Sequence, residues 1–103
     1  MLVIREVMFC KPGKVKPLIE KFVAMSKLME KANMGKMRIM SDVSTDRYWT
    51  AVAEFEVPSL AAFESVMAGE GADAEQMKEM DNIMKGYHDL VDHGRREIYK
   101  IEN

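Results

Sequence analysis

The chain holds two histidines, His88 and His93, at the two ends of the run His88-Asp89-Leu90-Val91-Asp92-His93. Histidine exchanges protons near neutrality, so one that faces a cleft could act as a general base. His88 borders an apolar stripe of Met84, Tyr87 and Val91, whose spacing predicts a helix, so it is expected near the cleft between helix and sheet. The plainer reading is a half-exposed histidine favoured by the dipole at a helix C-terminus. On such a helix His88 and Asp92 would share a face. Two or three mixed ligands without a second cluster do not close a metal site, so no metal is expected.

Six charged residues lie inside strand-like runs: Arg5, Glu6, Arg38, Glu54, Arg96 and Glu97. A buried charge normally needs a partner, so cross-strand pairs or bridges between subunits are expected. Glu54, on the third strand, is the candidate catalytic carboxylate, with structural pairing as its plainer role. Trp49 is the only tryptophan, and its alternation places Ala51 and Ala53 on the same strand face. A flat ring beside two short side chains leaves room for a planar apolar or aromatic ligand between sheet and helices. Phe22, Phe63, Met84 and His88 are the expected neighbours. Alternatively, the phenylalanines and some of the eleven methionines fill that space. Cys10 at a strand end reads as a small buried hydrophobe rather than a nucleophile. The chain contains no Ser/His/Asp order, phosphate loop or dinucleotide fingerprint.

Composition sets the frame for these residues. A chain of 103 residues implies one domain, residues 1–103. Hydrophobic residues at 48% and charged residues at 31% fit a globular protein with enough apolar surface to offset chain entropy. The net charge of −2, with no Lys/Arg block, argues against a nucleic-acid partner. No apolar run approaches the roughly 18 residues that span a bilayer, and no signal-peptide layout opens the chain, so a cytoplasmic protein is expected. The lone Cys10 excludes an internal disulfide.

The elements that must position these residues follow from periodicity. Residues 2–10 alternate as a strand with largely apolar sides, interrupted by Arg5 and Glu6. Pro12 and Gly13 break it, and Val15, Leu18, Ile19, Phe22, Val23, Met25 and Met29 then repeat at helical spacing to about Lys31, with Pro17 in the first turn. Residues 36–43 and 47–57 form two strands about a short turn at Ser44-Thr45-Asp46. Ser59 caps a short helix from Leu60 to Ala68. Asp73 to Gln76 resembles a capping box, and Met77, Met80, Met84, Tyr87 and Val91 extend a second helix that Gly94 closes. Residues 95–101 form the last strand.

The order β-α-β-β-α-β predicts an α+β ferredoxin-like plait, with helices on one face of an antiparallel sheet. Strands apolar on both sides need a cover on the second face. No further helix can supply it, so a second copy of the sheet is expected, giving a homodimer.

With that order, the chain resembles the dimeric α/β-barrel superfamily over nearly its whole length. The resemblance lies in the strand running into Lys11-Pro12-Gly13-Lys14, the long amphipathic helix, and the hairpin ending Tyr48-Trp49-Thr50-Ala51-Val52-Ala53-Glu54-Phe55. Ser59-Leu60-Ala61-Ala62-Phe63-Glu64 follows as the helix start. The superfamily includes cofactor-independent monooxygenases, haem-degrading enzymes, lactone isomerases and stress-responsive proteins. The resemblance implies an enzyme acting on a small aromatic or polyketide-like molecule without a bound cofactor, or a non-enzymatic ligand-binding or stress-related dimer. The haem-degrading marks are missing: the first strand has no Asn, and the helix from Leu60 has no Trp. The NIPSNAP-like branch shares the Pro-Gly-Lys turn, but Glu6 and Met8 stand where that branch has Arg and Tyr. Stress-responsive barrels often open strand one with a His, which this chain lacks.

Overall fold

Strand β1 (Leu2–Cys10) organises the sheet, because both of its edges are paired. In the computed structural model, which describes residues 1–103, it runs antiparallel to β3 (Thr50–Val57), with Met8 opposite Ala51 and Arg5 opposite Glu54. Its other edge pairs antiparallel with β4 (Val91–Lys100), with Met8 opposite Gly94 and Glu6 opposite Arg96. The short β2 (Met37–Ser41) closes the far side of β3, giving the order β2-β3-β1-β4. This is the expected α+β ferredoxin-like plait.

Three helices cover one face. Helix α1 (Val15–Lys31) carries Pro17 in its first turn and buries Leu18 and Phe22 against Cys10, Ala51 and Ala53. Helix α2 (Leu60–Met67) starts where the Ser59 side chain accepts a hydrogen bond from the Ala62 amide at 3.1 Å. Its Phe63 packs with Ile4 and Val57 in a second cluster. Helix α3 (Ala74–Met84) begins with the full reciprocal box between Asp73 and Gln76.

Three expectations are corrected. First, β3 does not start at residue 47. Trp49 adopts φ 63°, a left-handed conformation that cannot continue a strand, so it sits in the preceding bend and is 43% exposed. The hairpin turn is a longer loop, closed where Asp42 Oδ1 accepts from the Thr50 amide at 2.9 Å. Trp49 therefore does not share a strand face with Ala51 and Ala53.

Second, α3 stops at Met84 and does not reach Val91. Gly86, at φ 81°, turns the chain into a 3₁₀ turn over Tyr87–Asp89. Lys21 Nζ donates to the carbonyls of Ile83 and Lys85 at 3.1 and 2.8 Å, satisfying groups that a continuing helix would have bonded itself. The stripe was helical in spacing only.

Third, Gly94 is not a helix stop but lies inside β4, which starts at Val91, four residues earlier than expected. A Cβ there would stand 2.7 Å from Met8 Sδ and 2.8 Å from the Val7 carbonyl oxygen, so glycine lets β4 approach β1. Consequently His88 lies in the 3₁₀ turn while Asp92 lies on β4, and they do not share a helix face.

The face away from the helices is less apolar than the alternation of β1 suggested. Arg5 bridges Glu54 at 2.6 Å and Glu97 at 3.8 Å; Arg38 meets Glu54 at 3.3 Å, and Arg95 meets Glu97 at 2.7 Å. This row of charges crosses all four strands. The expectation of cross-strand pairing thus holds for the strand charges, Glu6 with Arg96 included.

Candidate functional site

The helix-facing side of the sheet offers short side chains at its centre, Ala51 and Ala53, both essentially buried. Over Ala53 the helices do not close completely. A cavity of about 370 Å³ remains, the size range of small-molecule sites. Its floor is sheet: Met8 and Glu6 on β1, Ala53 and Phe55 on β3, Arg96 on β4. One wall is Phe22, Met25 and Met29 of α1, continued by Met34 and Met37. The other is Val66 and Met67 of α2, then Met84 and Tyr87. Seven methionines therefore surround it. Unbranched thioether chains repack at low cost, so such a wall can adapt to an occupant.

Two lining residues are charged, and they pair with each other: Arg96 Nε donates to Glu6 Oε1. The Arg96 guanidinium also lies over the Phe63 ring, 5.0 Å from its centroid. Glu6, Met8, Tyr87 and Arg96 are shared with an open groove of about 390 Å³ along β4, which contains His88 and His93. The cavity thus has an apolar body, and its charged end opens toward His88.

The expected site residues fall into three groups. Phe22, Ala53 and Met84 line the cavity; His88 lies in the adjoining groove, exposed, its ring 3.9 Å from that of Tyr87. Ala51 and Phe63 belong to the packed core around it. Trp49 and Glu54 are brought elsewhere. Trp49 borders Val15 and Ser41 at the opposite end of α1. Glu54 is on the open face, its side chain 11% exposed and held by Arg5 and Arg38, so sheet backbone separates it from the cavity. That hydrogen bond to Glu54 raises the Arg5 pKa above its ordinary value.

The second histidine is also placed apart. His93 Nδ1 lies 2.9 Å from Asp92 Oδ2, and its Nε2 lies 2.8 Å from Arg47 Nη1. Asp92 is thereby engaged with His93 rather than His88, and no group of three His, Cys, Asp or Glu side chains is arranged to hold a metal ion. The Cys10 thiol is buried, which pushes its pKa up and disfavours the nucleophilic thiolate.

Sequence reasoning passed over Glu6 and Arg96 as site residues. A signal was present: on the face of β1 shared by Leu2, Ile4, Met8 and Cys10, Glu6 is the single charged residue.

No protein-family model matches the sequence, and no curated protein does. Solved structures do share its fold. An uncharacterized NIPSNAP domain protein from Burkholderia xenovorans superposes with a TM-score of 0.72 at 13% identity, covering 98% of this chain and 94% of that one. An uncharacterized NIPSNAP-like domain protein from the same organism gives 0.71 at 12%, covering 98% and 85%. A protein described as a candidate antibiotic biosynthesis monooxygenase from Deinococcus radiodurans gives 0.64 at 9%, covering 100% and 94%. Likeness at these identities is one of fold: the ferredoxin-like plait of the NIPSNAP and antibiotic-biosynthesis-monooxygenase proteins, with no branch singled out.

Proposed function

We propose that this chain is a small-molecule-binding protein whose ligand occupies the methionine-walled cavity between sheet and helices, in a dimer closed sheet against sheet. The observation that carries the reading is the cavity itself, apolar on twelve of its fourteen lining residues, with its two charges at one end. An open apolar hollow of this kind leaves wall in contact with water that a ligand would cover.

The test fills the space. Ala53 points into the cavity from a central strand, so Ala53→Leu places three further carbon atoms there. N-phenyl-1-naphthylamine, a neutral apolar fluorophore, should bind the parent protein saturably and lose at least tenfold in affinity to the variant. The variant's melting temperature should stay within a few degrees. Equal binding by both proteins, or none by the parent, contradicts the reading.

An enzymatic role is the second reading. It is favoured by the position of His88, in the groove that shares Glu6 and Arg96 with the cavity. The Deinococcus protein's description points the same way. On this reading the chain is a cofactor-independent monooxygenase-like enzyme, and His88 accepts a proton from a small aromatic or polyketide-like substrate. Dioxygen uptake with a 1,8-dihydroxyanthrone probe should exceed the uncatalysed rate and fall in His88→Ala. Uptake at the uncatalysed rate, with the cavity still binding the fluorophore, leaves a binding protein.

A further inference from the structure

We infer that the cavity selects ligands that carry an acidic oxygen at one end, a carboxylate or an ionised enol or phenol, and that Arg96 is the residue that selects them. This rests on the cavity reading above.

Arg96 lines both the cavity and the groove, as does its partner Glu6. The orientation of the Arg96 guanidinium is fixed twice over. Nε donates to Glu6 Oε1 from the facing position on β1, and the plane lies over the Phe63 ring. Neither Nη makes a hydrogen bond within the chain. An arginine anchored through Nε presents its outer edge as a pair of parallel donors. That edge matches a carboxylate or a planar 1,3-dioxygen group, and it costs little further ordering.

Bridging two acceptors is within this molecule's habit: Arg5 already contacts both Glu54 and Glu97. Glu6 is the less available of the pair, since its side chain is 18% exposed against 43% for Arg96. The accessible polar group at the charged end is therefore a donor, and an acceptor on the ligand completes it. The remaining lining is apolar but for Tyr87, so no second charged group there competes for the anion. The ligand class that follows is a small apolar body with one acidic head, the head toward β4.

The test uses three naphthalenes of nearly equal size in isothermal titration calorimetry at pH 7: 1-naphthylacetic acid, 2-(1-naphthyl)ethanol and 2-(1-naphthyl)ethylamine. The acid should bind roughly tenfold tighter than the alcohol, as a charge-assisted pair would give. Glu6→Gln should widen that gap, because the amide oxygen still accepts from Arg96 Nε while the negative charge that repels an anion is gone. Arg96→Gln, and the double variant Glu6→Gln/Arg96→Gln that removes both charges together, should bring acid and alcohol within twofold, the acid losing more affinity than the alcohol. If the alcohol binds and the acid binds no better, the inference fails while the cavity reading stands. If the amine binds tightest, the selecting group is Glu6 and the inference fails. If none of the three binds, the cavity reading falls and takes this one with it.

Discussion

Glu54 illustrates how strongly a residue's role depends on which way its strand faces. Its position on a central strand was legible, and so was its need for a partner. Which side of the sheet held the cavity was not, because alternation assigns residues to two faces without saying which face the helices cover. Glu54 binds Arg5 and Arg38 on the face away from α1–α3, so its effect should be on stability. Glu54→Gln should lower the unfolding free energy by about 1 kcal/mol, since the amide keeps one acceptor oxygen but loses the charge that two partly exposed arginines meet. Urea titration measures that loss, and fluorophore binding to the same variant should be unchanged.

Glu97 carries a pH dependence from the same network. Its hydrogen bond from Arg95, at 2.7 Å, lowers its pKa below the ordinary carboxylate value. A carboxylate with a lowered folded-state pKa stabilises the fold above its unfolded-state value, and that contribution disappears as pH falls through the folded-state value. Glu97→Gln should therefore be less stable than the parent at pH 7, and the two urea midpoints should converge as the pH drops below about 4. A gap between the midpoints that does not depend on pH would show that Glu97 acts by packing alone.

At the scale of elements, the caps and the long amphipathic helix were readable because their signals are local. Ser59, Asp73 with Gln76, and the α1 stripe each act within one or two turns. The β3–β4 boundaries were not, because two residues outside the periodic pattern decide them. Trp49 takes a positive φ in the loop that Asp42 and Arg47 close, and Gly86 ends α3 while the apolar spacing continues through Tyr87 to Val91. Gly86 reaches a positive φ without strain, and that outweighs the stripe. Gly94 is the reverse case, a glycine that looks like a stop and serves a close approach. Gly94→Val should collide with Met8 Sδ and the Val7 carbonyl and push β4 from β1. A loss of about 1–3 kcal/mol is expected, as for overpacked sites. Amide exchange should rise first along the β1–β4 ladder; exchange rising first in α3 would mean that the glycine matters to the turn instead.

The whole molecule is a slab 37 × 35 × 18 Å, one sheet and one layer of helices. Only 13 of its 103 residues are buried, a thin core for an independent fold. The open sheet face interleaves the Arg5, Glu54 and Glu97 network with Val52, Met40 and Tyr99, which suits a partner that is itself both apolar and charged. A second copy meets that description by symmetry. Light scattering at micromolar concentration should give about twice the chain mass of 11.8 kDa. A folded monomer at that concentration would remove the dimer from the proposal and leave the cavity untouched.

The cavity is the centre of the account, and the methionines report on it directly. Met8, Met25, Met29, Met34, Met37, Met67 and Met84 line it, whereas Met1, Met40, Met77 and Met80 do not. With the methionine methyl groups labelled with carbon-13, a titration with 1-naphthylacetic acid should shift resonances of the lining set saturably. The four others should stay in place. Shifts confined to Met1, Met40, Met77 or Met80, or no saturable shift at all, would contradict a ligand site between the sheet and the helices.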